Sequence, residues 1–142
     1  MYPIMLDLSG KTVVVIGGGK IALRKTKSLL HAKAKVTIVA PDILPDFNEL
    51  IDVRQIKALY HKKYLVSAQL IFACTNSKIV NQQVVNDASA NQWVNDCSQK
   101  ENSDFFNMAT IEQTDYLIAL SYYGEDPSAL KAKKAELRKL LE

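Results

Sequence analysis

Apolar residues along this chain fall into short unbroken runs, separated by stretches in which they recur every three or four positions. The runs Lys11–Ile16, Lys35–Ala40 and Leu70–Cys74 are rich in β-branched or aromatic residues and end at Gly, Pro or Thr-Asn. Such runs mark strands buried on both faces. Between the first two, Lys20–Ala32 has helical spacing, with Ile21, Ala22, Leu29 and Leu30 on one face and Arg24, Lys25 and Lys27 on the polar side. Strand, helix and strand within thirty residues form one βαβ unit, whose crossover is right-handed by a strong rule. Further along, Asp46–Ile51 reads as a helical turn and Val53–Leu59 as an outer strand. His61–Ala68 reads as helical, with Tyr64 and Leu65 inward, then Lys78–Ala90 as a helix and Gln92–Asn95 as another strand.

The first strand turns through Gly17-Gly18-Gly19 straight into the first helix, giving G-x-G-x-x-A with Gly17, Gly19 and Ala22 in the three positions. Gly17 permits the tight turn, Gly19 lets backbone approach a pyrophosphate, and Ala22 lets helix and strand pack closely. The N–H groups of the first helical turn then face the phosphates, and the helix dipole favours their charge. An α/β fold follows: a Rossmann-type parallel sheet with helices on both faces. Ligands in such sheets bind outside the carboxyl ends of the strands, where Thr75 and Asn76 stand after the third run. Asn76 is placed to meet a cofactor, to cap the helix Lys78–Ala90, or to do both. Asp42 follows the second strand slightly late, beside Pro41, and is placed either to bind the adenosine ribose or to cap the next helix. No Arg or Lys occurs between Pro41 and Val53, which favours NAD over NADP.

After the polar loop Asp96–Asp104 the chain changes character. Phe105–Ile111 and Asp115–Ser121 are strand-like runs joined by a polar turn. Gly124–Ser128 makes a second turn, and Pro127 suits the first turn of a helix to Glu142 carrying Leu130, Leu137, Leu140 and Leu141. The dinucleotide fold needs none of this. We therefore divide the chain into an NAD-binding domain, residues 1–104, and a small strand–helix dimerisation segment, residues 105–142. The chain stops on Leu-Leu-Glu without a C-cap, so that segment is expected to be truncated at its C-terminal end.

Composition narrows the function classes. Apolar residues make up 48% of 142, enough for one core. A formal charge of +3, with basic residues scattered, does not suggest a nucleic-acid groove but suits an anionic small molecule. Cys74 and Cys97 lie far apart without C-x-x-C spacing or nearby histidine, so neither a zinc site nor a disulfide framework is suggested. Cys74 reads as a small core residue and His61 as a surface histidine. With no leader and no apolar run of membrane-spanning length, the chain reads as cytoplasmic and not membrane-bound.

These residues resemble precorrin-2 dehydrogenase, the N-terminal module of sirohaem synthase. The resemblance rests on Pro3–Leu8, Val15–Lys25, Val36–Pro41, Ala73–Asn76, Val94-Asn95, and Ser121 through Gly124 to Pro127-Ser128. It implies oxidation of precorrin-2 to sirohydrochlorin with NAD+, a tetrapyrrole substrate and a homodimer; some members also insert Fe2+. Carried over, the cofactor would contact Gly17, Gly19, Lys20 and Ile21, then Pro41 and Asp42, then Thr75 and Asn76. The family often places a catalytic aspartate seven residues before the Phe that begins the next run, which here is Ser98, counted from Phe105. Asp96 reaches that place only if the loop is realigned; it is the candidate general base or metal-facing carboxylate, or else a loop-capping residue. The small-residue pair before the glycine turn also departs, with Ser121 followed by Tyr122 and Tyr123. Two other readings remain: an NAD-sensing regulatory module without chemistry, and a generic NADP reductase, which the missing basic residues disfavour.

Overall fold

Five parallel strands, β1 (Thr12–Ile16), β2 (Lys35–Ala40), β3 (Val53–Lys57), β4 (Leu70–Ala73) and β5 (Trp93–Asp96), pair in the order β3-β2-β1-β4-β5. β1 lies at the centre, with Val13 opposite Val36 on one side and Leu70 on the other. Alternation along each strand then builds two cores. Val13, Val15, Ile38 and Phe72 pack with Ala22 and Leu29 of α1 (Lys20–His31). Val14, Ile16, Val39, Ile71 and Val94 pack with Leu65 and with Val84 of α2 (Lys78–Asp87). Because both faces are covered, the strands tolerate the near-continuous apolar runs that made them readable. The order reverses between β1 and β4, and the crevice at their carboxyl ends is where such sheets take ligands.

This computed structural model describes residues 1–122 and 127–141. They form two compact units, residues 1–105 and 106–142. In the second, β6 (Ala109–Glu112) and β7 (Leu117–Leu120) form an antiparallel pair, and α3 (Pro127–Leu140) packs on β6. Tyr123 to Asp126, the start of the expected turn Gly124–Ser128, lie outside the described residues. Among the described residues no helix is long and apolar enough to cross a membrane.

Several expectations change in detail. Ile21 is 46% exposed and leaves the buried stripe of α1 to Ala22, Thr26 and Leu29. Lys25 is not on the solvated side: its ammonium lies 5.2 Å from the centre of the Phe72 ring and 3.4 Å from Asn95 Oδ1. A long lysine stem can lie along apolar surface while its head finds polar company, so its sequence position gave no hint of this. The helical stretches at Asp46–Ile51 and His61–Ala68 are the short 3₁₀ turns Pro45–Glu49 and Lys62–Leu65, the second capped by His61 Nδ1. β5 extends to Asp96, moving that residue from loop to strand end. β6 and β7 are shorter than their apolar runs, and Leu140 on α3 is 75% exposed.

Candidate dinucleotide site at the β1–β4 seam

The glycine turn fills the mouth of the crevice. Gly17 has φ +132°, and a Cβ there would meet the Cys74 carbonyl oxygen. Its N–H donates to the Val39 carbonyl (2.9 Å), so the turn leaves β1 while still tied to β2. Gly18 is as tightly held: a Cβ would meet the Asp42 carbonyl oxygen and lie 2.8 Å from the Ile43 Cα. Gly19 is different, because a Cβ there would find nothing within 4 Å. Gly19 is also the N-cap of α1, offers no side-chain acceptor, and no acidic residue sits in the first turn. Open space thus lies over a helix start whose donors are uncapped by side chains, which fits the pyrophosphate of a dinucleotide. Ala22, fully buried against the first core, gives the close helix packing.

A polar network, buried at Asn81 and Asp96 and reaching the surface at Ser98, spans the carboxyl ends of β4 and β5. Asn81 of α2 is completely buried. Its Oδ1 accepts from the Thr75 N–H (3.0 Å) and hydroxyl (2.6 Å), and its Nδ2 donates to the Thr75 carbonyl (3.2 Å) and to Ser98 Oγ (3.1 Å). Ser98 passes the chain on, its Oγ donating to Asp96 Oδ1 at 2.6 Å. That oxygen also takes the N–H groups of Ser98 (2.8 Å) and Gln99 (3.2 Å), while Oδ2 takes Asn102 Nδ2 (3.2 Å). Burial pushes the Asp96 carboxyl up, but the bonds from Ser98, Asn102 and Gln99 outweigh it and hold the group below its ordinary value. Asp96 is therefore an ionised acceptor with both oxygens engaged, only 4% exposed.

A family model described as "Putative NAD(P)-binding" matches residues 4–109. Over its whole length the chain is 30% identical to the precorrin-2 dehydrogenase of Bacillus subtilis (strain 168), covering 90% of that protein. This chain belongs to the precorrin-2 dehydrogenase family. The solved structure of "SirC, precorrin-2 dehydrogenase" superposes with TM-score 0.88 at 31% identity, over 98% of this chain and 70% of that one. The siroheme synthase of Tolumonas auensis is 33% identical over 98% of this chain, which spans only 30% of that longer protein. A Granulicella formate dehydrogenase, 17% identical with TM-score 0.53, shares the fold alone.

In this member of the precorrin-2 dehydrogenase family, the expected site residues come from four segments that the structure links. Gly18 O accepts from the Leu44 N–H (3.0 Å), tying the turn to the loop that holds Pro41 and Asp42. Gly17 lies against Cys74, just before Thr75. Asn81 then joins Thr75 to Ser98 and Asp96, so the two alternative positions of the family's aspartate form a single hydrogen-bonded unit. The structure bears on the capping half of two alternatives left open by sequence. Asp42 does not cap the next turn, which starts from Leu44 without a side-chain cap. Asn76 is exposed, and α2 is capped by Ser77 Oγ, which accepts from the Val80 N–H (3.3 Å). Sequence reasoning passed over Gly18 and Asn81. The signal for Asn81 was present: it shares a helical stripe with the apolar Val84, Val85 and Ala88, where a polar residue needs partners.

Proposed function

We propose that this chain catalyses the NAD-dependent oxidation of precorrin-2 to sirohydrochlorin, in sirohaem biosynthesis. The observation that carries the reading is the glycine turn at the β1–β4 seam, open at Gly19 and closed at Gly17 and Gly18, in a chain 30% identical to a precorrin-2 dehydrogenase over its full length. When bound, NAD+ supplies the hydride acceptor. The N–H groups at Gly19, Lys20 and Ile21 take the pyrophosphate, with the Lys20 ammonium adding charge, while Gly17 sets the turn. Pro41 and Asp42 receive the adenosine ribose, and Thr75 and Asn76 line the path toward the reacting end. Asp96 and Ser98 act here as a positioning pair at the end of β5. A carboxylate that already accepts bonds from Ser98, Gln99 and Asn102 is a weak base, so proton loss falls to water in this mechanism. The modest positive charge suits a substrate carrying many carboxylates.

In the same reading, residues 1–104 form the NAD-binding domain and residues 105–142 a homodimer interface. A unit of this size rarely buries enough apolar surface to stand alone, and Tyr116, Leu117 and Leu140 are exposed on it. A cytoplasmic location agrees with two cysteines that are both free thiols.

The test is anaerobic incubation with precorrin-2 and NAD+, following the sirohydrochlorin spectrum, with NADP+ and Asp96→Ala as comparisons. Conversion is expected with NAD+ and much less with NADP+, and Asp96→Ala should lower kcat more than it raises KM. Adding Fe2+ to the product then asks whether sirohaem forms. A folded protein that binds NAD+ yet converts nothing would replace this reading with a non-catalytic NAD sensor.

A further inference from the structure

Cys74 and Cys97, far apart in sequence, meet at the carboxyl edge of the sheet. The β4–β5 pairing runs to Ala73 opposite Asp96, and the Cys97 N–H extends it by donating to the Ala73 carbonyl (2.9 Å). The two cysteines are the next step of that register. Register partners on neighbouring parallel strands point to the same face about 5 Å apart, within the Cα spacing of a disulfide. Their sulfurs are 2.7 Å apart, and both are free thiols. This is what sequence separation concealed: a connection that includes α2 returns the second cysteine, 23 positions on, beside the first.

The surroundings distinguish the two sulfurs. Cys74 is 7% exposed, within the first core, whereas Cys97 is partly exposed. Lys25 brings its ammonium to Asn95 Oδ1, and the Cys97 sulfur lies 3.6 Å from that same oxygen. We propose that Cys74 and Cys97 form a reversible dithiol–disulfide couple oxidised by small-molecule disulfides of the glutathione class, with Cys97 as the attacking sulfur. The Cys74 thiol and the Lys25 ammonium, helped by Arg24, hold the Cys97 thiol below its ordinary value against burial and the Asp96 charge. The shared hydrogen bond and burial push Cys74 up.

The steps balance. Cys97, having lost its proton to solvent, attacks one sulfur of oxidised glutathione, forming a mixed disulfide and expelling one glutathione thiolate. Cys74 then loses its proton to solvent and its sulfur attacks that of Cys97, expelling the second glutathione thiolate. Two protein thiols become one disulfide, and one glutathione disulfide is reduced to two thiols.

The whole protein is equilibrated anaerobically in glutathione buffers of graded poise, quenched in acid, alkylated under denaturing conditions and weighed. Both thiols should disappear together, with a mass loss of two hydrogens and no retained glutathione. Cys74→Ser should instead hold one glutathione, on Cys97. With samples quenched at timed intervals, Lys25→Met should slow the oxidation severalfold near neutral pH, because the lower thiolate fraction of Cys97 is only partly offset by its greater nucleophilicity. Two alkylatable thiols at the most oxidising poise, or a wild-type protein that retains glutathione without forming the disulfide, would overturn the assignment. These readouts involve neither precorrin-2 nor NAD+, so they stand apart from the dehydrogenase assay.

Discussion

Three adjacent glycines carry three different constraints. Gly17 answers to its positive φ, Gly18 to the backbone at Asp42 and Ile43, and Gly19 to nothing within this chain. With ordinary φ (−91°) and free space around it, Gly19 is not required to be glycine by its own backbone or neighbours, and in the proposed function its small size serves the cofactor. Gly19→Ala should therefore change the stability of the ligand-free protein by less than about 1 kcal/mol, since the gain from a less flexible unfolded chain is offset by a poorer N-cap on α1. It should nonetheless weaken NAD+ binding. Gly18→Ala should do the opposite first, lowering stability by roughly 1–3 kcal/mol, since backbone must shift to admit the methyl. Thermal melts beside NAD+ titrations separate the two; equal destabilisation by both would mean that Gly19 is held by the fold.

At the scale of elements, the buried strands were the most legible part of the sequence. A strand covered on both faces is apolar along nearly its whole length: β4 is so throughout, and β1 and β2 break the run only at Thr12, Lys35 and Thr37, none of them fully buried. The glycine turn was equally clear, because strand, turn and helix fall in one continuous stretch. What stayed hidden depends on parallel neighbours distant in sequence. Asn81 reaching Ser98, Cys97 meeting Cys74 and Lys25 reaching Asn95 each cross between elements whose relative placement no local pattern encodes. The edges of elements misled for a different reason. Asp96 was counted with the loop because it is polar, although it pairs with Ala73 as the last residue of β5.

That placement has an acid–base consequence. Since Asp96 is more acidic when folded than its ordinary 3.8, the unfolded chain binds its proton more tightly, and the carboxylate stabilises the fold. This contribution is fully present above the ordinary value and is lost as pH falls below it. Asp96→Asn keeps the shape but not the charge. The stability difference between wild type and Asp96→Asn, from denaturant titrations, should be constant near neutrality and close below about pH 3.8. A difference independent of pH would mean that Asp96 is not ionised in the folded protein.

For the whole molecule, the smaller unit sets the expectation. It consists of one antiparallel strand pair and α3, with Tyr116, Leu117 and Leu140 exposed. Sedimentation equilibrium at micromolar concentration should return twice the 15.9 kDa of one chain. Leu117→Asp or Leu140→Asp should shift the mass toward the monomer while leaving NAD+ binding intact, and a monomeric wild type would remove the interface from the proposal. The larger unit bears on how cofactor preference can change over evolutionary time. Gly18 lies against backbone at Asp42, and its carbonyl holds the Leu44 N–H, so the glycine turn and the loop after β2 are tied into one piece. A residue inserted between positions 41 and 44 would pull that donor from its acceptor and loosen the turn itself. Descendants that come to accept a ribose 2′-phosphate should therefore exchange the side chains at 42 and 43 for basic ones and keep the loop at its present length.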